Sequence, residues 1–230
     1  MNLLHLADLH LGKRVNGFDL LPDQRYILEQ VLDLCTAHNV QAVALAGDIY
    51  DTAPAAAVLL LDWFLTELAH RNIPVLAIAG NHDSAERLDY AAGLLSNQQV
   101  YLAGQFTSAP RRVILQDEFG ELTFDLLPFV RPATVRHCLP DADIRDEDSA
   151  IAAALGPLPT AGERRVLIAH QMVLGGGSLP QKICKSHFRA RCGSFECIQL
   201  LPLLAAHAPP AAGRLPHCAV RGQPAVLFAG

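Results

Sequence analysis

Short continuous apolar runs alternate, over the first 180 residues, with longer stretches whose apolar positions recur every three or four residues. Leu3-Leu4-His5-Leu6-Ala7 has the length of a buried strand and ends at Asp8. Pro22 opens a helical pattern in which Ile27, Leu28, Val31, Leu32 and Cys35 share one stripe, fading at His38-Asn39. Ala42 to Ala46 predicts a second strand, stopped by Gly47-Asp48. Pro54 opens a second helix with Val58, Leu61, Leu65 and Leu68 on one face. Pro74 to Ala79 predicts a third strand, stopped by Gly80-Asn81-His82-Asp83, and a third helix is expected from Ser84 to about Leu95. Arg112 to Leu115 and Leu122 to Phe129 pattern as a hairpin, Asp146 to Leu155 as a helix, and Val166 to Ala169 as one more buried strand ending at His170. Apolar strands alternating with helices mean a sheet covered on both faces.

Polar residues gather where these strands end: Asp8 and His10, Asp48 and Asp51, Asn81 with His82 and Asp83, and His170. In α/β sheets ligands bind beyond the carboxyl ends of the strands, so these side chains are expected to share one crevice. Carboxylate, imidazole and amide oxygen without thiolate form a ligand set for Mn, Fe or Zn rather than for calcium alone. A carboxylate such as Asp48 has two oxygens and can bridge two ions. Two ions about 3.5–4 Å apart can hold the attacking and leaving oxygens of an in-line phosphoryl displacement. The glycines before Asp48 and Asn81 allow a tight turn and a close approach. Other histidines have plainer readings. His5 sits inside the first strand without a motif, and His38 and His70 fall near helix C-termini, where imidazole complements the dipole. Asp51 either supports a metal ligand from behind or caps the helix after Pro54. Cys35 and Cys138 read as ordinary reduced cysteines.

The chain of 230 residues is 51% hydrophobic and 18% charged, which excludes a disordered acidic chain, a collagen-like repeat and a basic nucleic-acid arm. Its longest uncharged apolar run, Thr52 to Leu61, is too short to cross a bilayer, and the N-terminus lacks the pattern of a signal or transit peptide. A cytoplasmic location is the default. The net charge of −5 conceals a division: residues 1–180 carry −10 and residues 181–230 carry +5. Cys184, Cys192, Cys197 and Cys218 all lie in the last fifty residues.

Asp8-Leu9-His10, Gly47-Asp48-Ile49-Tyr50-Asp51 and Gly80-Asn81-His82-Asp83 resemble the D-x-H, G-D-x-x-D and G-N-H-D/E signatures of calcineurin-like metallophosphoesterases. Within that superfamily, Leu6 to Gly12, Gly47 to Pro54 and Val75 to Leu88 resemble the SbcD nuclease subunits of SbcC–SbcD complexes, and Ala169-His170-Gln171 falls where they place another metal histidine. The resemblance implies an α/β fold, a metallophosphoesterase β-sandwich flanked by helices, truncated here and followed by an irregular tail. It implies two divalent ions, Mn2+ or Mg2+, held by Asp8, His10, Asp48, Asn81 and His170, with Asp48 bridging. His82 would be the catalytic histidine, oriented by Asp83, with water as nucleophile. It further implies metal-dependent hydrolysis of DNA phosphodiester bonds, as a double-strand exonuclease and hairpin endonuclease in recombination, replication and repair. The partners it implies are an SbcC-type ATPase and double-stranded or hairpin DNA, with a homodimer inside a heterotetramer.

The resemblance covers residues 1–178, read as an incomplete nuclease domain; residues 179–230 form an atypical tail with no domain assigned. The family carries a further G-H-x-H motif that supplies two metal histidines, and this chain has none. His187, His207 and His217 stand alone. A shifted reading frame near codon 180 would give such a break in composition. A zinc site at Cys184-x2-His187 and Cys192-x4-Cys197 lacks a clean C-x2-C pair. Two other readings remain open. One is a catalytically impaired remnant. The other is a small-molecule phosphodiesterase of the same superfamily. The acidic first segment offers no large basic face for DNA, so DNA binding would have to come from the metals and the partner.

Overall fold

The computed structural model describes residues 1–157 and 163–171, together with the backbone of a short strand at 227–229. The tail residues His187, His207 and His217 and the four late cysteines lie outside the described residues.

Two sheets face each other. The first runs β1 (Leu3–Leu6), β4 (Ala42–Ala46), β5 (Val75–Ile78) and β6 (Val100–Ala103) in that order, all parallel. The second is ordered β10 (Leu227–Ala229), β9 (Arg165–His170), β8 (Gly120–Leu127) and β7 (Arg111–Asp117). There β7 and β8 form an antiparallel hairpin, and β8, β9 and β10 run parallel. A small ribbon, β2 (Arg14–Val15) with β3 (Phe18–Asp19), follows β1.

Strand alternation assigns each side chain to a layer. In β4, Ala44 and Ala46 point between the sheets with Leu76 and Ile78 of β5, against Phe124, Leu126, Val166 and Ile168 of the second sheet. Val43 and Leu45 point the other way, onto Leu28, Val31, Leu61, Phe64 and Leu68 of helices α1 (Leu21–Ala37) and α2 (Ala55–His70). Behind the second sheet, Leu167 and Ala169 pack on Val135, Ala150, Ile151 and Ala154 of helices α5 (Pro132–Cys138) and α6 (Glu147–Leu155). The layers are thus helix, sheet, sheet, helix, and β4 is apolar throughout because both its faces are buried. Each fully buried Leu or Phe contributes about 1.5–3 kcal/mol.

The strands and helices expected from periodicity are present, with one division. The helix expected from Ser84 to Leu95 is two pieces, α3 (Ala85–Leu88) and α4 (Ala92–Leu95). The Asp89 carboxylate accepts the amides of Gly104 at 2.6 Å and Gln105 at 2.8 Å, tying the break to the end of β6, and Ala91 takes a φ of +59° that no helix continues through. Strand β6, helix α5 and the β2–β3 ribbon were not read from the pattern. The ribbon turns on Asn16-Gly17, both at positive φ, a pairing suited to a tight hairpin turn.

His5 is buried between the sheets, and neither ring nitrogen finds a hydrogen-bond partner among the described residues. Burial lowers its pKa from 6.5 to about 4. The folded chain therefore binds fewer protons than the unfolded chain between those values, so this contribution is complete above about pH 6.5 and is lost as pH falls toward 4. The full effect is roughly 3 kcal/mol at most. The variant His5→Leu should flatten the fall in stability between pH 6.5 and pH 4, followed by urea denaturation of metal-free protein. An unchanged slope would refute the assignment.

Candidate metal centre

Strands β1, β4 and β5 run parallel, so Asp8, Asp48 and Asn81 leave the first sheet on one edge. Backbone bonds tie the first two exits together: the amides of Asp8, His10 and Leu11 donate to the carbonyls of Gly47, Asp48 and Ile49 at 3.1, 2.9 and 2.8 Å. His170 arrives from the second sheet at the end of β9. One ligand atom each from Asp8, Asp48 and His170 lies within 4.8 Å of the others.

Both glycines that precede ligands are required by proximity. A Cβ on Gly80 would stand 2.1 Å from Asp48 Oδ1 and 2.2 Å from the Asp48 backbone nitrogen. Gly47 has φ +89°, and a Cβ there would meet the His170 ring at 2.6 Å. Asp8, His10 and Asp48 themselves hold left-handed φ values of 55°, 43° and 49°. Such backbone costs about 1–3 kcal/mol per non-glycine residue and gathers at functional sites.

The donor spacing fits a cation. His10 Nε2 stands 3.9 Å from Asp8 Oδ1 and 3.8 Å from Asp48 Oδ2, and His170 Nε2 stands 3.6 Å from Asp48 Oδ1. These gaps exceed a good hydrogen bond. They match the roughly 3–4 Å between donors that share an ion with bonds of about 2.0–2.2 Å. Nδ1 of His170 bonds the Ala46 carbonyl at 2.8 Å, which turns Nε2 toward Asp48 and toward Asn81 Oδ1 at 3.2 Å. A carbonyl on one ring nitrogen fixes the tautomer that leaves the other free to coordinate. Nδ1 of His10 is buried without a hydrogen bond among the described residues, and Asp51 Oδ1 is the nearby carboxylate at 3.7 Å. Asp51 therefore stands behind His10 and is not a helix cap, since α2 begins one residue after Pro54.

Electrostatics follow from the crowding of acids and imidazoles. Burial raises the Asp8 carboxyl, opposed mainly by the charge of His170. Burial also works against the Asp48 carboxylate, but the nearby His170 imidazole and the hydrogen bond from the His82 amide outweigh it and hold it below its ordinary value. Burial lowers the His170 pKa, but the charge of the neighbouring Asp48 carboxylate and the hydrogen bond to the Ala46 carbonyl outweigh it and raise it.

His82 is placed differently from the ligands. Its amide donates to Asp48 Oδ1 at 2.9 Å, so the residue is anchored by backbone. Its side chain is 52% exposed, against 5% for Asp48, and its Nε2 reaches to 4.0 Å from Asp48 Oδ2. The ring stands edge-on to His10 with centroids 5.2 Å apart. The Asp83 carboxylate accepts three backbone amides, from Ile49 at 3.1 Å, Tyr50 at 2.9 Å and Gly80 at 2.8 Å. The sequence-level expectation was that Asp83 orients the His82 ring. Its oxygens instead bind the two ligand-bearing loops to each other, and it fixes His82 only through the loop they share.

Two residues at the site carried no motif. Phe129 sets its ring edge-on to His170 at 6.4 Å and is held there by its amide bond to the Ala79 carbonyl at 2.8 Å. Gln24 grips the loop that carries His10.

Fold and site together define a metal-dependent phosphoester hydrolase. The chain belongs to the calcineurin-like phosphoesterase family, whose model matches residues 1–173. Similar solved structures include a dimetal phosphatase from Danio rerio, at 16% identity and a TM-score of 0.41, covering 74% of this chain and 69% of that one. Another is the nuclease MPE of Pseudomonas putida, at 16% identity and a TM-score of 0.33, covering 77% of this chain and 66% of that one. Among the described residues no helix is long and apolar enough to cross a membrane.

Proposed function

We propose that this chain is an SbcD-type nuclease domain, hydrolysing DNA phosphodiester bonds with two divalent ions, Mn2+ in preference to Mg2+. The observation that carries the hydrolytic reading is the convergence of Asp8, His10, Asp48 and His170 from two sheets, with the exposed His82 at their edge. The DNA reading and the SbcC-type ATPase partner, with a homodimer inside a heterotetramer, rest on the strings Leu6 to Gly12, Gly47 to Pro54 and Val75 to Leu88.

Bound ions would supply charge neutralisation for the phosphoryl group and a more acidic water. Asp8, His10 and Asp48 would hold one ion, and Asp48, Asn81 and His170 the other. Asp48 keeps its carboxylate ionised and presents one oxygen to His170 and the other to His10. His82, exposed at the edge of the site with Nε2 4.0 Å from Asp48 Oδ2, would protonate the leaving oxygen or stabilise the charge developing there. Asp83 and the paired β1 and β4 exits keep these groups from drifting apart.

The test uses the 230-residue chain with Mn2+, on hairpin DNA and on a bis-aryl phosphate, with and without an SbcC-type ATPase. Expected is slow, Mn2+-dependent cleavage that favours DNA and rises with the partner, slow because the G-H-x-H histidines are missing. Cleavage of the small diester alone would make it a small-molecule phosphodiesterase. Mn2+ binding without cleavage of either substrate would make it a catalytically impaired remnant. The variant His82→Ala should lose about 10²–10³-fold in rate, the usual cost of one transition-state donor. Its Mn2+ content should match the parent chain by atomic absorption. A parallel loss of metal would reassign His82 as a ligand.

A further inference from the structure

Gln24 occupies the buried stripe of α1, one turn before Leu28, where the helical pattern calls for an apolar residue. Its amide is fully used on one loop. Nε2 donates to the carbonyls of Leu9 at 3.1 Å and His10 at 2.9 Å, and Oε1 accepts the amide of Gly12 at 3.0 Å. Only one orientation of the amide works, because two partners are obligatory acceptors and the third an obligatory donor. The loop so gripped holds His10 at φ +43° and Gly12 at φ +83°. Left-handed backbone at a histidine persists only where its surroundings over-determine it. The amides of His10 and Leu11 are fixed to the β4 exit, and the opposite side of the same loop is fixed by Gln24.

We propose that Gln24 is a positioning residue for the metal centre: it holds the Leu9–Gly12 loop in the strained form that turns His10 Nε2 toward Asp8 and Asp48. The inference rests on the metal-binding reading of the site and extends it to a residue on a helix that contributes no ligand. The physical argument is that three backbone groups are satisfied by one buried side chain. Without it they must find other partners, and the loop can do so only by giving up its left-handed turn. The imidazole then leaves its position while the fold, held by the sheets and the helix faces, remains.

The test is Mn2+ titration of the 230-residue chain by calorimetry, comparing Gln24→Met, His10→Ala, the double variant and Val31→Ala. Val31 lies on the same buried face of α1 and touches no loop residue through a polar bond, so it controls for lost stability. Expected for Gln24→Met is a loss of about 10- to 100-fold in Mn2+ affinity, the range for residues that orient ligands. The double variant should bind no more weakly than His10→Ala alone, because Gln24 acts through His10. Val31→Ala should bind as the parent chain does. Unchanged affinity in Gln24→Met, additive losses, or an equal loss in Val31→Ala would each overturn the proposal. Should Gln24→Met fail to fold, Gln24→Asn replaces it, keeping the amide but drawing it back by one methylene. The Gly12 amide in the parent chain gives a separate reading by hydrogen exchange: it is expected to be protected, and rapid exchange would overturn the proposal. A parent chain that binds no Mn2+ while the Gly12 amide is protected would bring down the metal-centre reading, and this inference with it. Normal parent binding with an indifferent Gln24→Met would bring down this inference alone.

Discussion

Replacing Asp48 by asparagine should abolish Mn2+ binding and lower phosphodiester hydrolysis by more than the 10²–10³-fold that loss of a single stabilising donor costs, about 10⁴-fold or beyond. Asp48 faces His170 with one oxygen and His10 with the other, at 3.6 and 3.8 Å, so it is the group common to both halves of the site. Asparagine keeps an oxygen for the His82 amide, which Asp48 Oδ1 accepts at 2.9 Å, and so preserves the loop. The metal-free variant should unfold close to the parent. The difference appears on adding Mn2+: an ion bound at 100 times its Kd stabilises by about 2.7 kcal/mol, and the variant should show no such rise in Tm. An Mn2+-dependent rise of equal size in Asp48→Asn would mean that the ions bind elsewhere.

Asp83→Ala should be the most damaging single change to stability at the site. One carboxylate accepts the amides of Ile49, Tyr50 and Gly80, joining the loop after β4 to the loop after β5. Hydrogen bonds to a charged group contribute about 1.5–3 kcal/mol each. Asp83 is half-buried, so water recovers part of what is lost, and the expected cost is about 3–5 kcal/mol. For a chain of this size that is roughly 6–20 °C in Tm. Thermal unfolding in chelator isolates this effect from metal binding. Mn2+ affinity should fall as well, since the Gly80 amide positions the turn that brings Asn81 to His170. A loss below about 1 kcal/mol would show that the two loops are held by their strands alone.

The sequence by itself determined the parts of this protein that depend on short-range pattern. Val43 and Leu45 alternate with Ala44 and Ala46 in a short run with no polar residue that stops at Gly47-Asp48, the length and pattern of a strand buried on both faces. The stripe of Leu28, Val31, Leu32 and Cys35 could only be a helix face. Asp8, His10, Asp48, Asp51, Asn81, His82, Asp83 and His170 stand after buried strands and are expected to share one crevice, and the resemblance to metallophosphoesterase motifs singles out Asp8, His10, Asp48, Asn81 and His170 as ligands. Gly47 and Gly80 lie against the His170 ring and the Asp48 carboxylate, contacts that the sequence does not name.

What tertiary structure decided lies in contacts between residues far apart in the chain. Asp83 lies next to His82 in sequence, which suggested a partner for that ring, yet its oxygens reach 33 and 34 residues back to the amides of Tyr50 and Ile49. The helix after Ser84 is continuous in its local pattern and is broken by Asp89, whose carboxylate is captured by backbone amides 15 and 16 residues ahead. Strand β6 is as long as β1 and β5, but its place as a strand is set by pairing on the open parallel edge of β5. Gln24 lies outside the stripe that the pattern opens at Ile27, and its amide hydrogen-bonds a loop 12 to 15 residues earlier. Side-chain periodicity reports which face of an element is buried. It carries no record of which distant backbone groups must be satisfied there, because those needs arise only when the loops are brought together.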